Sequence, residues 1–104
     1  MYSVLIIDMF HYQDEAYERV VHGFPSRELA VEFARRWVRD SLEELRQPRQ
    51  PREDLRRLWF SFGEDALVIG GEYTGSSELD SFIDHPASDE ERDWQAIKTR
   101  AGIH

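Results

Sequence analysis

Between Asp8 and Glu15 the chain reads DMFHYQDE, placing three carboxylates, one imidazole and two aromatic rings in eight consecutive positions. Further along, FGED (62–65) contributes Glu64 and Asp65. Hard oxygens with a single imidazole suit Mg²⁺ or Mn²⁺. On that reading Asp8, His11 and Asp14 are the ligands, and Glu15 or Glu64 is the base acting on a water beside a phosphorylated small molecule. Spacing weighs against it. On a continuing strand Asp8 and His11 point to opposite faces, so they converge only where the chain turns sharply near Phe10. Asp8 also has Arg19 as an expected ion-pair partner, and Asp14 and Glu15 are ordinary residues for a hairpin tip.

A third reading makes the same segment a recognition surface, because binding residues favour loops held on a rigid scaffold. Tyr12, Asp14, Glu15, Glu64 and Asp65 would then form an acidic edge for a basic protein partner. Tyr12 supplies contact area, and the carboxylates supply on-rate and register. His11, among carboxylates, is expected to gain proton affinity and to make a pH-sensitive contact. His22 reads as a half-buried packing histidine opposite Leu5. No residue is assigned a catalytic role and no cofactor is expected. GEYTGSS lacks the glycine spacing and lysine of a phosphate loop, and Ser76 and Ser77 lack a nucleophile-elbow context. Trp37, Trp59 and Trp94 lie on apolar stripes and read as core.

The elements that must position these residues follow from periodicity. YSVLIIDMF (2–10) is strand-like and apolar on both faces, with Tyr2, Val4, Ile6 and Phe10 on one side and Leu5, Ile7 and Met9 on the other. A strand of that kind is normally covered twice, by its own chain or by a second copy, so a homodimer is a further expected partner. YERVVHGF (17–24) pairs with it as a hairpin about residues 13 and 14, setting Phe10 opposite Tyr17, Asp8 opposite Arg19 and Ile6 opposite Val21. HYQDEA is left as the loop.

Ser26 caps a helix over 27–46 with a stripe of Ala30, Phe33, Ala34, Trp37, Val38, Ser41 and Leu45. The prolines of QPRQP break it. A shorter helix carries Leu55, Leu58, Trp59 and Phe62, with Gly63 in the left-handed position at its end. ALVIGG (66–71) is a third strand, and LDSFID (79–84) reads as a fourth, edge strand or an irregular cover. A capping box of Ser88 and Glu91 opens a last helix that Gly102 ends. The order β-β-α-α-β-(β)-α predicts one α+β domain over 1–104. Its sheet is mainly antiparallel, with three to four strands and helices packed on it.

The bulk properties narrow the function classes. A net charge of −8 repels phosphate backbones, which disfavours direct nucleic-acid binding. The nine arginines of residues 27–57 stand among seven acids at helical spacing, as on a solvated helix face. Residues 58–104 carry ten acids and three bases, so an acidic inhibitor mimicking nucleic acid, with its charges on 72–93, is an alternative function. Cysteine is absent, which excludes disulfides, thiolate zinc sites and a cysteine nucleophile and fits a reducing cytoplasm. MYSVLIIDMF has no basic n-region and too short an apolar run for a signal or membrane helix.

Taken in order, DMFHYQDE, GFPSRELAVEFA and FGED resemble a family of small uncharacterised bacterial proteins. That family shares an aspartate–x–Phe-His-Tyr–x–acid–acid segment, a helix opening after Gly-x-Phe, and Phe-Gly-Glu-Asp near the third strand. The resemblance covers roughly residues 4–69 and rests on Asp8, Phe10, His11, Tyr12, Asp14 and Glu15, then Gly23 and Phe24, then Phe62 to Asp65. The family's last motif continues with proline where this chain has Ala66, and the tail from Glu72 is longer and more acidic here. The resemblance implies a bacterial origin and a shared fold, with no mechanism attached. The residues themselves favour a non-enzymatic protein-binding or regulatory module.

Overall fold

The computed structural model describes residues 1–104. Four strands form one antiparallel sheet: β1 (Tyr2–Asp8), β2 (Arg19–Phe24), β3 (Glu64–Ile69) and the two-residue β4 (Tyr73–Thr74), in spatial order β2-β1-β3-β4. Four helices accompany it: α1 (Arg27–Leu45), α2 (Arg52–Phe62), α3 (Leu79–Asp84) and α4 (Trp94–Arg100). This is the α+β arrangement expected from the periodicities.

Val4 and Ile6 of β1 and Ala66 and Val68 of β3 are buried, and they share one apolar cluster with residues from all four helices. Side chains alternate along a strand, so every helix packs on the same face of the sheet. The other face carries no helix. α1 is the main cover. Ser26 accepts a hydrogen bond from the Leu29 amide at its start, and Ala30, Phe33, Ala34, Trp37, Val38 and Leu42 line its buried stripe. Leu42 stands where Leu45 was expected to anchor the stripe; Leu45 is only partly buried.

The hairpin differs from expectation in register and length. Val4 opposes Val21 and Ile6 opposes Arg19, so β2 is displaced by two residues relative to the expected pairing. The cause is Asp8, whose carboxylate accepts the Phe10 amide and turns the chain into a 3₁₀ turn at Met9–His11. β1 leaves β2 there but stays with β3 through Asp8↔Glu64, and the Met9 amide still reaches the Gly63 carbonyl. Arg19 therefore does not meet Asp8. Val20, not His22, lies opposite Leu5; His22 is exposed, with Nδ1 2.8 Å from Ser3 Oγ.

LDSFID is helical rather than strand-like. A strand would split Leu79 and Ile83 from Phe82, which would stand beside Asp80 and Asp84. One helical turn buries all three apolar residues instead. The edge strand is Tyr73–Thr74, and β3 begins at Glu64 rather than at residue 66. Gly63 also departs from expectation. Its backbone is extended (φ −79°, ψ −175°), so handedness does not explain it. A Cβ at Gly63 would lie 2.5 Å from Trp59 Nε1, and the indole is fully buried. Close approach is what requires glycine here. The Ser88–Glu91 capping box forms in both directions, but it opens only a 3₁₀ turn. α4 starts afterwards, with Asp93 accepting the Ala96 amide.

Candidate functional site

The connection from β1 to β2 spans residues 9–18 and is built from two short 3₁₀ turns, each opened by an aspartate. Asp8 accepts the Phe10 amide at 2.9 Å, and Asp14 accepts the Ala16 amide at 3.1 Å. Between them Gln13 takes a left-handed conformation (φ 70°). Local hydrogen bonds of this kind are what Asp side chains offer a reversing backbone.

The sharp turn brings Asp8 and His11 together, with His11 Nδ1 3.2 Å from Asp8 Oδ2. Burial pushes the Asp8 carboxyl up, but the bonds from His11 and from the Phe10 amide prevail and hold it below its ordinary range. Asp8 thus orients the imidazole by one ring nitrogen. Asp14 does not join them, because its carboxylate is committed to the Ala16 amide. Nowhere in the structure do three or more His, Asp or Glu side chains gather within metal-binding reach.

Around the imidazole the loop assembles an aromatic ladder. His11 stacks on Tyr17 with centroids 3.6 Å apart and planes 6° from parallel. Phe10 meets His11 edge-on at 4.8 Å and stacks on Phe62 of α2 at 5.5 Å. The ladder lies open to solvent: Phe10 is 63% exposed and Phe62 54%, with Tyr12 beside them in the chain at 61%. Asp14, Glu15 and Glu18 surround it in sequence, and none has a cationic side chain within ion-pair distance. Four of the eight acids over 72–93 contrast with them. Glu78 is held by Arg35, Asp80 by Arg52 and Arg56, Asp84 by Arg52, and Glu91 by Arg39.

The FGED acids have separate fates. Glu64 lies opposite Asp8 in the β1–β3 ladder yet turns toward α1, where Trp37 Nε1 donates to its Oε1 at 3.0 Å. The Arg19 guanidinium lies 3.7 Å from Oε2 and stacks over the Trp37 ring at 5.2 Å. Trp37, Asp40, Ser41, Glu44, Glu64 and Trp94 line a small hollow of about 170 Å³. Asp65 is only 8% exposed and takes no part in an edge. Its Oδ1 accepts the amides of Ala66 and Ser76. Extending the β3–β4 pairing by two residues would set Ser76 opposite Asp65, so the carboxylate stands in for the next ladder bond.

The structure therefore keeps Tyr12, Asp14 and Glu15 together on one exposed turn, sets Glu64 apart in the α1 hollow and buries Asp65 as a structural acceptor. No residue of 8–18 lines any of the three surface hollows. Sequence reasoning did not find Phe10, Tyr17 and Phe62 as parts of a surface. Phe62 falls on the apolar stripe of α2 by spacing, and only the turn at Met9–His11 shows that a ring from the loop, rather than the core, meets it. Comparison with protein-family models, curated proteins and solved structures returns no match, so the resemblance noted above rests on its motif residues alone.

Proposed function

We propose that this chain is a protein-binding module that presents the 10–17 turn to a basic partner, in keeping with the reducing cytoplasm that its lack of cysteine fits. One observation carries the reading: large rings are held in a solvent-exposed ladder beside carboxylates that have no cationic partner. Exposed aromatic anchors contribute most to protein association, and water-exposed apolar rings of this size have no role in the core of this fold. Asp14 and Glu15, neither paired with a cation, would steer a Lys- or Arg-bearing surface toward Phe10, Tyr12 and Tyr17.

The test is quantitative affinity capture with the intact chain and with a Tyr12→Ala/Asp14→Asn/Glu15→Gln variant. A specific partner is expected to be retained by the parent, to be depleted at least about tenfold by the variant and to elute as salt is raised. The variant should unfold within about 0.5 kcal/mol of the parent, because all three residues are exposed. Capture unchanged by the variant, or indifferent to salt, would dismiss this reading.

A further inference from the structure

All four helices pack on one face of the sheet, and the opposite face carries a contiguous apolar surface. The register places Val20, Leu5, Leu67 and Thr74 in one row across all four strands, with Ile7 and Ile69 in the flanking rows. Val20 is 41% exposed and Ile69 48%. Within an isolated chain these residues leave half of a two-sided strand uncovered, which is the situation that a second layer normally resolves.

We infer that the layer is a second copy of this chain, docked face to face through the open side of the sheet. Charge selects this occupant. The chain carries −8, so two copies repel across most of their surfaces. On this face the remaining side chains are Ser3, His22 and Thr74, and the one acid that alternation places there, Asp65, is buried against backbone amides. Two such faces meet without setting one strand carboxylate against another. A basic foreign protein would find no acid to pair with among the strand residues of this face, whereas the 10–17 turn offers Asp14 and Glu15. A two-fold axis also suits the geometry, because each copy presents the same patch and each row can pack on its symmetry mate.

Area sets the strength. β1 to β3, about 4.8 Å apart and roughly 20 Å long, with the two-residue β4 adding roughly 7 Å, give a projected footprint on the order of 300 Å². The corrugated accessible surface is larger, so pairing buries roughly 800 Å² in total, below the usual range of stable interfaces and in that of weak, transient ones. The dimer is therefore expected to be a weak one, micromolar or above, with the sheets stacked about 10 Å apart and the helices outward.

Sedimentation velocity of the full chain over a dilution series up to roughly 500 μM covers that range. The expected result is a concentration-dependent rise toward twice the 12.3 kDa chain mass. Val20→Lys and Ile69→Glu, each at a solvent-facing position, should each weaken dimerisation at least about tenfold with an unchanged circular dichroism spectrum. A methyl-labelled NMR dilution series of the unaltered chain gives a reading that does not depend on a variant folding. Val20, Leu5 and Ile69 methyl signals should move with concentration, and the ring signals of Phe10 and Phe62 should stay fixed. A monomer at every concentration, a dimer that both substitutions leave intact, or shifts centred on the 10–17 turn would each overturn the inference. The first two outcomes leave binding by the turn untouched, and the third would make the turn a site of self-association.

Discussion

Gly63 joins α2 to β3, and the absence of a side chain there lets the strand start directly over the Trp59 indole. Trp59 is wholly enclosed and cannot retreat, and the extended backbone at Gly63 places no demand of its own on the residue. Gly63→Ala is therefore a test of packing alone. It should cost about 1–3 kcal/mol, as overpacking of a full core does, visible as a lower urea midpoint with the slope unchanged. Gly63 was legible in the sequence as a helix terminator, but the reason for it was not. Spacing locates the end of a helix, whereas the ring that crowds the next residue is known only once α2 lies against the sheet.

At the scale of elements, Ser41 shows how α1, α2 and β3 are joined at one hydroxyl. Its Oγ accepts from Trp59 Nε1 at 2.9 Å and from the Glu64 amide at 3.3 Å, and it lies 2.9 Å from the Val38 carbonyl that takes its proton. Ser41 belongs to the expected buried stripe of α1, where a hydroxyl needs a partner to be tolerated. Ser41→Ala leaves the buried Trp59 N–H without an acceptor, and an orphaned buried donor costs about 1–3 kcal/mol. The expected outcome is that loss in chemical denaturation, with a changed near-ultraviolet spectrum for Trp59. Ser41→Thr, which keeps the hydroxyl, should recover part of it. A neutral Ser41→Ala would show that the three elements are joined by apolar packing alone.

At the scale of the whole molecule, acid sensitivity follows from carboxylates that the fold has tied down. Glu43, with its side chain 8% exposed, is pushed up by burial, but the Arg46 guanidinium and the Ala87 amide outweigh this and hold it below its ordinary 4.5. Burial likewise raises Glu78, and its bonds from Tyr73 and Arg35 prevail and lower it. A carboxyl whose folded value lies below its unfolded one stabilises the fold fully above the unfolded value and loses that contribution as pH falls through the folded one. Stability should therefore hold from neutrality to about pH 5 and decline below about 4.5. Glu43→Gln should be weaker than the parent by about 1–3 kcal/mol at pH 7, with the difference narrowing as the pH drops below 4. Urea midpoints at pH 7, 4 and 3 check the sign. A difference that widens in acid would refute it.

Composition and periodicity by themselves determined the α+β class, the long capped helix (expected over 27–46 and observed at Arg27–Leu45), the proline break after it and the apolar content of β1. These are local properties, carried by caps and repeats within a few residues of one another. Tertiary structure alone decided the rest. Whether Asp8 continues a strand or caps a turn depends on competition between its carboxylate and the β2 ladder, and that choice moved the hairpin by two residues and released Arg19 to Glu64 and Trp37. It also stacked Phe10 and His11 into a ladder that no spacing encodes, because Phe62 lies more than fifty residues away. The two FGED acids, adjacent in the chain, parted for the same reason: one strand step sends Glu64 into the α1 hollow and leaves Asp65 bonded to amides. Long-range partners select among conformations that the local sequence permits equally.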